Sequence, residues 1–244
     1  MKHPFRSHIL PLFSIGAGGL GFALRLWLFS SVDEKGLLPA GHFADAALYI
    51  LTALVLGILF LATRQVLPRR MNKNTVRLFC SGAYLLGGLG LLVNGISSSS
   101  SGNARLAVLA TAACGVGAVV MISMAVLKFS RKRLPYWLPA ILTVVLMLCT
   151  VAQCQIWGAE PQLQVYFFPL LSSVFLMLTT YYSAVLDAKK ASRRWFVFCN
   201  QSALFFCCVS LWSDSWLFYL TMAFWMFTGL CSLETQSSEK EEEA

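Results

Sequence analysis

The chain has 244 residues, 57% of them hydrophobic and only 12% charged, with a mean hydropathy of +0.68. A soluble domain carries roughly a quarter of its residues as charges, so too little polar surface exists here to cover so apolar an interior in water. The 19 Lys and Arg against 11 Asp and Glu leave +8. The position of those charges along the chain argues for a membrane and against nucleic acid as the partner.

A hydrocarbon core of about 30 Å needs roughly 20 apolar residues of helix. Eight stretches meet that length, at 9–29, 43–63, 76–96, 106–127, 134–157, 166–186, 195–212 and 215–233. No segment alternates apolar and polar residues as a transmembrane barrel strand does. Little more than Ser213 and Asp214 separates the last two stretches, whose combined length is too great for one crossing. The fold class expected is therefore all-α, a polytopic transmembrane bundle of eight helices.

The basic residues orient it. Lys2 and Arg6 precede the first span, and Arg64, Arg69, Arg70, Lys73 and Arg77 separate the second from the third. Lys128, Arg131, Lys132 and Arg133 separate four from five, and Lys189, Lys190, Arg193 and Arg194 separate six from seven. With Lys240 these are sixteen of the nineteen, against Lys35 and Arg105 in the alternate loops and Arg25 within a span. Cytoplasmic loops carry this excess, which places both termini inside. Trp27, Trp157, Trp212 and Trp216 fall at expected outer boundaries, and Trp137 and Trp195 at inner ones, where amphipathic rings sit. The N-terminal apolar run is too long for a secretory leader and lacks a small-x-small cleavage site. No myristoylation or prenylation signal is present.

Residues 1–233 read as one transmembrane domain, and 234–244 as an acidic, disordered cytoplasmic tail. The spacing of basic clusters divides the domain into four helical hairpins of the same orientation. Gly18-Gly19-Leu20-Gly21 and Gly87-Gly88-Leu89-Gly90 have two readings, duplication of a hairpin or chance recurrence in a Gly- and Leu-rich apolar text. Small residues four apart, as at Ser14 and Gly18, Ala17 and Gly21, Ala83 and Gly87, and Ala113 and Gly117, allow close helix approach. They serve packing within the bundle, or pairing with a membrane-protein partner or a second copy.

Motifs of chemistry are missing. No carboxylate or histidine lies mid-span, which removes the usual intramembrane proton relay. There is no H-E-x-x-H, G-x-S-x-G or P-loop. The eight cysteines lie within spans without a C-x-x-C and read as small packing residues. Neither a metal nor a cofactor is expected, and an enzyme is disfavoured.

One constellation stands out. Arg25 is the only charge inside a span, about 24 Å from the span's start. Asn94 and Gln153 fall at matching depths, and Asp45, Glu160 and Asp214 stand at the same outer end. Together they describe an outward-facing polar pocket in which an arginine clamps a carboxylate or phosphate. The competing reading has Arg25 snorkel to the surface, or pair with Glu34 or Asp45 for structure alone. A second polar group, Asn200, Gln201 and Ser202, opens span seven near the inner basic loop.

The loop string Val32-Asp33-Glu34-Lys35-Gly36-Leu37-Leu38-Pro39-Ala40-Gly41-His42 and the string Phe167-Phe168-Pro169-Leu170-Leu171 resemble those of an uncharacterised family of bacterial eight-span integral membrane proteins. That resemblance implies a multi-pass protein of the bacterial cytoplasmic membrane and carries no activity. Three readings of function follow. The first is binding or transport of a small or lipid-like anion through the pocket around Arg25. The second is a non-catalytic scaffold or subunit that packs through its Gly-rich faces. The third is a lipid-active enzyme using Asp33, Glu34, His42 or Asp45 at the outer surface.

Overall fold

The computed structural model describes residues 9–31, 42–63, 73–98, 104–130, 134–157, 163–187, 193–213 and 215–242. Among them are eight helices and no strand: α1 (Ile9–Ser30), α2 (Phe43–Ala62), α3 (Lys73–Ser98), α4 (Ala104–Phe129), α5 (Trp137–Trp157), α6 (Leu163–Asp187), α7 (Arg193–Val209) and α8 (Trp216–Glu242). The all-α expectation holds, and each helix overlaps one expected span. Six of them, α1 to α6, are long and apolar enough to cross a membrane. Helix α8 continues through the acidic residues 234–242, where a solvated tail was expected.

Neighbouring helices meet through side chains whose numbering fixes their direction. Gly95 packs on Cys114 while Ser81 reaches Ala125, so α3 and α4 run antiparallel. Cys80 donates to the Thr228 carbonyl while a Cβ on Gly90 would meet Thr221, which makes α3 and α8 antiparallel. Antiparallel pairing likewise joins α5 to α6 through Gln153–Ser173 and Thr143–Thr180. By contrast α1 and α7 run parallel, with Ser14 on Gln201 and Arg25 on Val209. Odd and even helices therefore point in opposite directions.

Helices α3, α4, α5, α6, α7 and α8 close into a ring, each packed on the next, and α8 returns to α3. The α1–α2 pair leans on α7 from outside that ring. Leu91, Met121, Leu142, Leu176, Leu204 and Met222 fill the ring, each at most 1% exposed. A second apolar cluster, with Leu48, Leu59, Phe205, Phe206 and Val209, joins α1, α2 and α7.

Helix α7 is consequently the centre of the molecule. From Phe196 to Val209 its residues are buried, apart from the half-buried Phe198 and Cys208. A helix surrounded by protein can hold polar residues that lipid would exclude. Elsewhere the outward faces are aliphatic and exposed, as at Leu12, Leu20, Ile50, Leu54, Val119 and Val144. Exposed aromatics mark both ends: Trp27, Phe43, Trp212 and Trp216 at one, Tyr136, Trp137 and Trp195 at the other. That distribution matches a lipid-facing waist between interfacial belts. Trp225, mid-helix, is instead buried in the core.

The glycine strings serve close packing inside the chain. A Cβ on Gly18 would lie 2.5 Å from Cys208 Cβ, and one on Gly21 would lie 2.7 Å from Val209 Cγ2. A Cβ on Gly87 would collide with Met121, and one on Gly117 would lie 2.8 Å from Val145. Arg194, read from sequence as a topological charge, also works within the fold. It donates to the Phe60 carbonyl at the end of α2 and lies 4.6 Å from the Phe60 ring centre.

Candidate functional site

The buried residues of α1 include Ser14, Gly18, Gly21, Arg25 and Leu28, which recur every three or four positions and form one face. Arg25 belongs to the stripe that packs on α7. It is only 2% exposed, so it does not snorkel to the surface. Its Nη1 donates to the Val209 carbonyl at 3.2 Å. Val209 is the last residue of α7, where carbonyls lack an intrahelical partner and the helix dipole is negative. Gly18 and Gly21 bring α1 close enough for that contact, and Arg25 caps the central helix.

Further polar groups gather there. The Tyr219 phenol of α8 interacts electrostatically with Arg25 and stands beside Ser173 without a well-aligned hydrogen bond. Ser173 of α6 donates to Gln153 Oε1 of α5 at 3.4 Å and to the Pro169 carbonyl at 3.2 Å. Its neighbour Ser172 contacts Cys207 Sγ at 3.1 Å. The Tyr219 and Ser210 hydroxyls are buried and have no hydrogen-bond partner among the described residues. The arrangement thus holds a buried cation bonded to Val209 and, near it, two hydroxyl protons with no hydrogen-bond partner among the described residues.

Of the six residues expected to form one pocket, the structure links Arg25 to Gln153 through Tyr219 and Ser173. Asn94 lies on the α3–α4 seam, where its Nδ2 donates to Cys114 Sγ at 3.7 Å. Cys114 in turn lies 3.5 Å from Cys149 Sγ, one turn before Gln153 on α5. Asp45 is half-buried in the first turn of α2. Glu160 and Asp214 lie outside the described residues, as do Asp33 and Glu34. His42, considered for catalysis, caps α2: its Nδ1 accepts from the Ala44 N–H at 3.2 Å, and its ring meets Trp27 edge-on.

Sequence reasoning undervalued the polar triad of α7. Ser14 donates to Gln201 Oε1 at 3.1 Å, Gln201 Nε2 to Asn200 Oδ1 at 3.1 Å, and Asn200 Nδ2 to Met226 Sδ at 3.5 Å. This series crosses α1, α7 and α8 inside the bundle. Beside it, towards the opposite end from Arg25, lies a cavity with room for roughly one or two water molecules. Thr179, Thr180, Ser183, Asn200, Trp225 and Gly229 contribute to its wall. The triad was visible as polar text within an apolar span; its place in the core was not. Compared with protein-family models, curated proteins and solved structures, the chain matches none.

Proposed function

We propose that the chain is an eight-crossing protein of a bacterial cytoplasmic membrane, with both termini inside, which binds and carries a small or lipid-like anion at the Arg25 end. The observation that carries this reading is two buried hydroxyls without a hydrogen-bond partner among the described residues, Tyr219 near the Arg25 charge and Ser210 next to the Val209 that Arg25 caps. A charged side chain within a membrane costs about 3 kcal/mol or more and marks a functional site by default. The cap on Val209 accounts for one donor of the guanidinium. It leaves the Tyr219 and Ser210 hydroxyls to an acceptor such as a carboxylate, phosphate or halide.

Alternating helix direction and the basic bias support eight crossings. Helix α7 has 17 residues, about 26 Å of helix. Because protein surrounds it, it need not match the lipid thickness. Duplication of a hairpin accounts for the string shared by α1 and α3, which serves close packing in both. The scaffold reading loses its main surface, since Gly18, Gly21, Gly87 and Gly117 already face the chain's own helices.

The test is melting of the purified protein in detergent micelles with phosphate, sulfate, bromide or short-chain phosphatidylglycerol. At least one anion raises the wild-type melting temperature. Arg25→Gln keeps a donor for Val209 but no charge, so it folds and loses that gain; Arg25→Lys retains part of it. A full gain in Arg25→Gln overturns the reading.

A further inference from the structure

Each of the three helices around Arg25 and Asn200 carries polar groups at two levels with an apolar residue between them. On α7 Leu204 separates Asn200 from the Val209 carbonyl that Arg25 caps. On α6 Leu176 lies between Ser173 and Thr179, and on α8 Met222 lies between Tyr219 and Trp225. Leu176, Leu204 and Met222 are each at most 1% exposed and belong to one core cluster. An apolar plug therefore divides the Arg25 group from the Asn200 cavity.

We propose that the Asn200 cavity is a second anion station, sized for a small monovalent inorganic anion of the halide class, and that the plug separates the two ends of one path. The inference rests on the anion reading of the Arg25 end for its path, and on the cavity itself for its size. Room for roughly one or two waters excludes a phosphate ester or lipid headgroup.

The orientation of the lining favours an anion over a cation. Ser14 and Gln201 hold Asn200 Oδ1 as an acceptor, which turns the Nδ2 edge towards Met226 and Gly229. The sulfur it meets is a weak acceptor, easily exchanged for an anion. A Cβ on Gly229 would collide with that amide nitrogen, so glycine is what leaves the space. Thr179 and Thr180 donate to the Phe175 and Met177 carbonyls of their own helix. They can turn those protons to a ligand, because such carbonyls already accept a backbone N–H. Among the described residues no acidic side chain lines the cavity to repel an anion.

Trp225 in the cavity wall supplies the readout. Iodide, as its choline salt against choline gluconate at constant ionic strength, is titrated into the detergent-solubilised protein while tryptophan fluorescence is followed. The wild type shows a saturable quenching component that Trp225→Phe lacks. Asn200→Leu and Gly229→Ala weaken the apparent iodide affinity roughly tenfold or more, whereas Arg25→Gln retains the component. Linear quenching, identical in Trp225→Phe, overturns the inference, as does stabilisation by sodium gluconate but not by choline iodide. If phosphate or phosphatidylglycerol stabilises through Arg25 while iodide fails to saturate, the second station falls and the Arg25 reading stands. If iodide saturates at Trp225 but Arg25→Gln changes no anion effect, the site stands and the path falls.

Discussion

The Arg25 guanidinium of α1 donates to the carbonyl of Val209, the last residue of α7, 184 positions further along the chain. A charge that sequence alone places in the outer third of a span thus closes the end of a different helix. That contact ties the α1–α2 pair to the six-helix ring and sets Arg25 beside Tyr219.

Tyr219 separates a structural role from a binding role. Its hydroxyl is buried without a hydrogen-bond partner among the described residues, so Tyr219→Phe removes a desolvated polar group. Stability in anion-free buffer is expected to stay level or to rise by about 1 kcal/mol. The anion-dependent rise in melting temperature is expected to shrink. Thermal unfolding with and without phosphate or bromide measures both; an unchanged anion effect removes Tyr219 from the site.

Two glycines one residue apart on α1 predict opposite outcomes. Gly18→Leu drives a side chain into Cys208 and Phe205 and is expected to cost about 1–3 kcal/mol. A Cβ on Gly19 would meet no atom within 4 Å, so Gly19→Leu is expected to be nearly neutral. Melting in micelles compares the pair, and equal losses would mean that α1 does not dock on α7 by this face.

The Ser14–Gln201 hydrogen bond can be weighed by a double-mutant cycle. Ser14→Ala and Gln201→Leu each destabilise the fold, and their coupling is expected near 0.6 kcal/mol, the usual worth of such a bond between membrane helices. Gln201→Leu also frees the Asn200 amide to turn, so it weakens iodide binding more than Ser14→Ala does.

Crossing number is read by single-cysteine labelling in intact cells, on a background with the native cysteines replaced. Ser31→Cys and Ser213→Cys lie at the ends of odd helices, and Ser130→Cys follows an even one. A membrane-impermeant maleimide is expected to label the first two from outside and Ser130→Cys only after the membrane is opened. Labelling of all three from one side would refute alternate crossings.

Much of the architecture was legible because it is local. Apolar runs of about 20 residues and their breaks located all eight helices, and residues 43–63 became Phe43–Ala62 almost unchanged. The larger differences fall at ends. Span seven, expected to reach residue 212, stops at Val209, where the chain turns through Ser210 to Ser213 and Ser213 Oγ donates to the Ser210 carbonyl. The site was legible in part. Arg25 and Gln153 share a neighbourhood, whereas Asn94, chosen by depth alone, lies on the α3–α4 seam. Depth gives the height of a residue along the bundle and says nothing of the direction its side chain faces.

From the sequence alone came an all-helical chain suited to a bilayer, because hydropathy, helix length and charge placement act within one segment at a time. Only the tertiary structure decided that α7, with its Asn200-Gln201-Ser202, is the central helix. That choice depends on Gly18 and Gly21 admitting a partner nearly two hundred residues distant, a fit of shapes that leaves no periodic mark in either segment. Once α7 is enclosed by protein, Gln201 bonds Ser14 and Asn200, and Asn200 meets Met226, inside the bundle. That enclosure placed Asn200, held by Gln201, in the wall of a cavity.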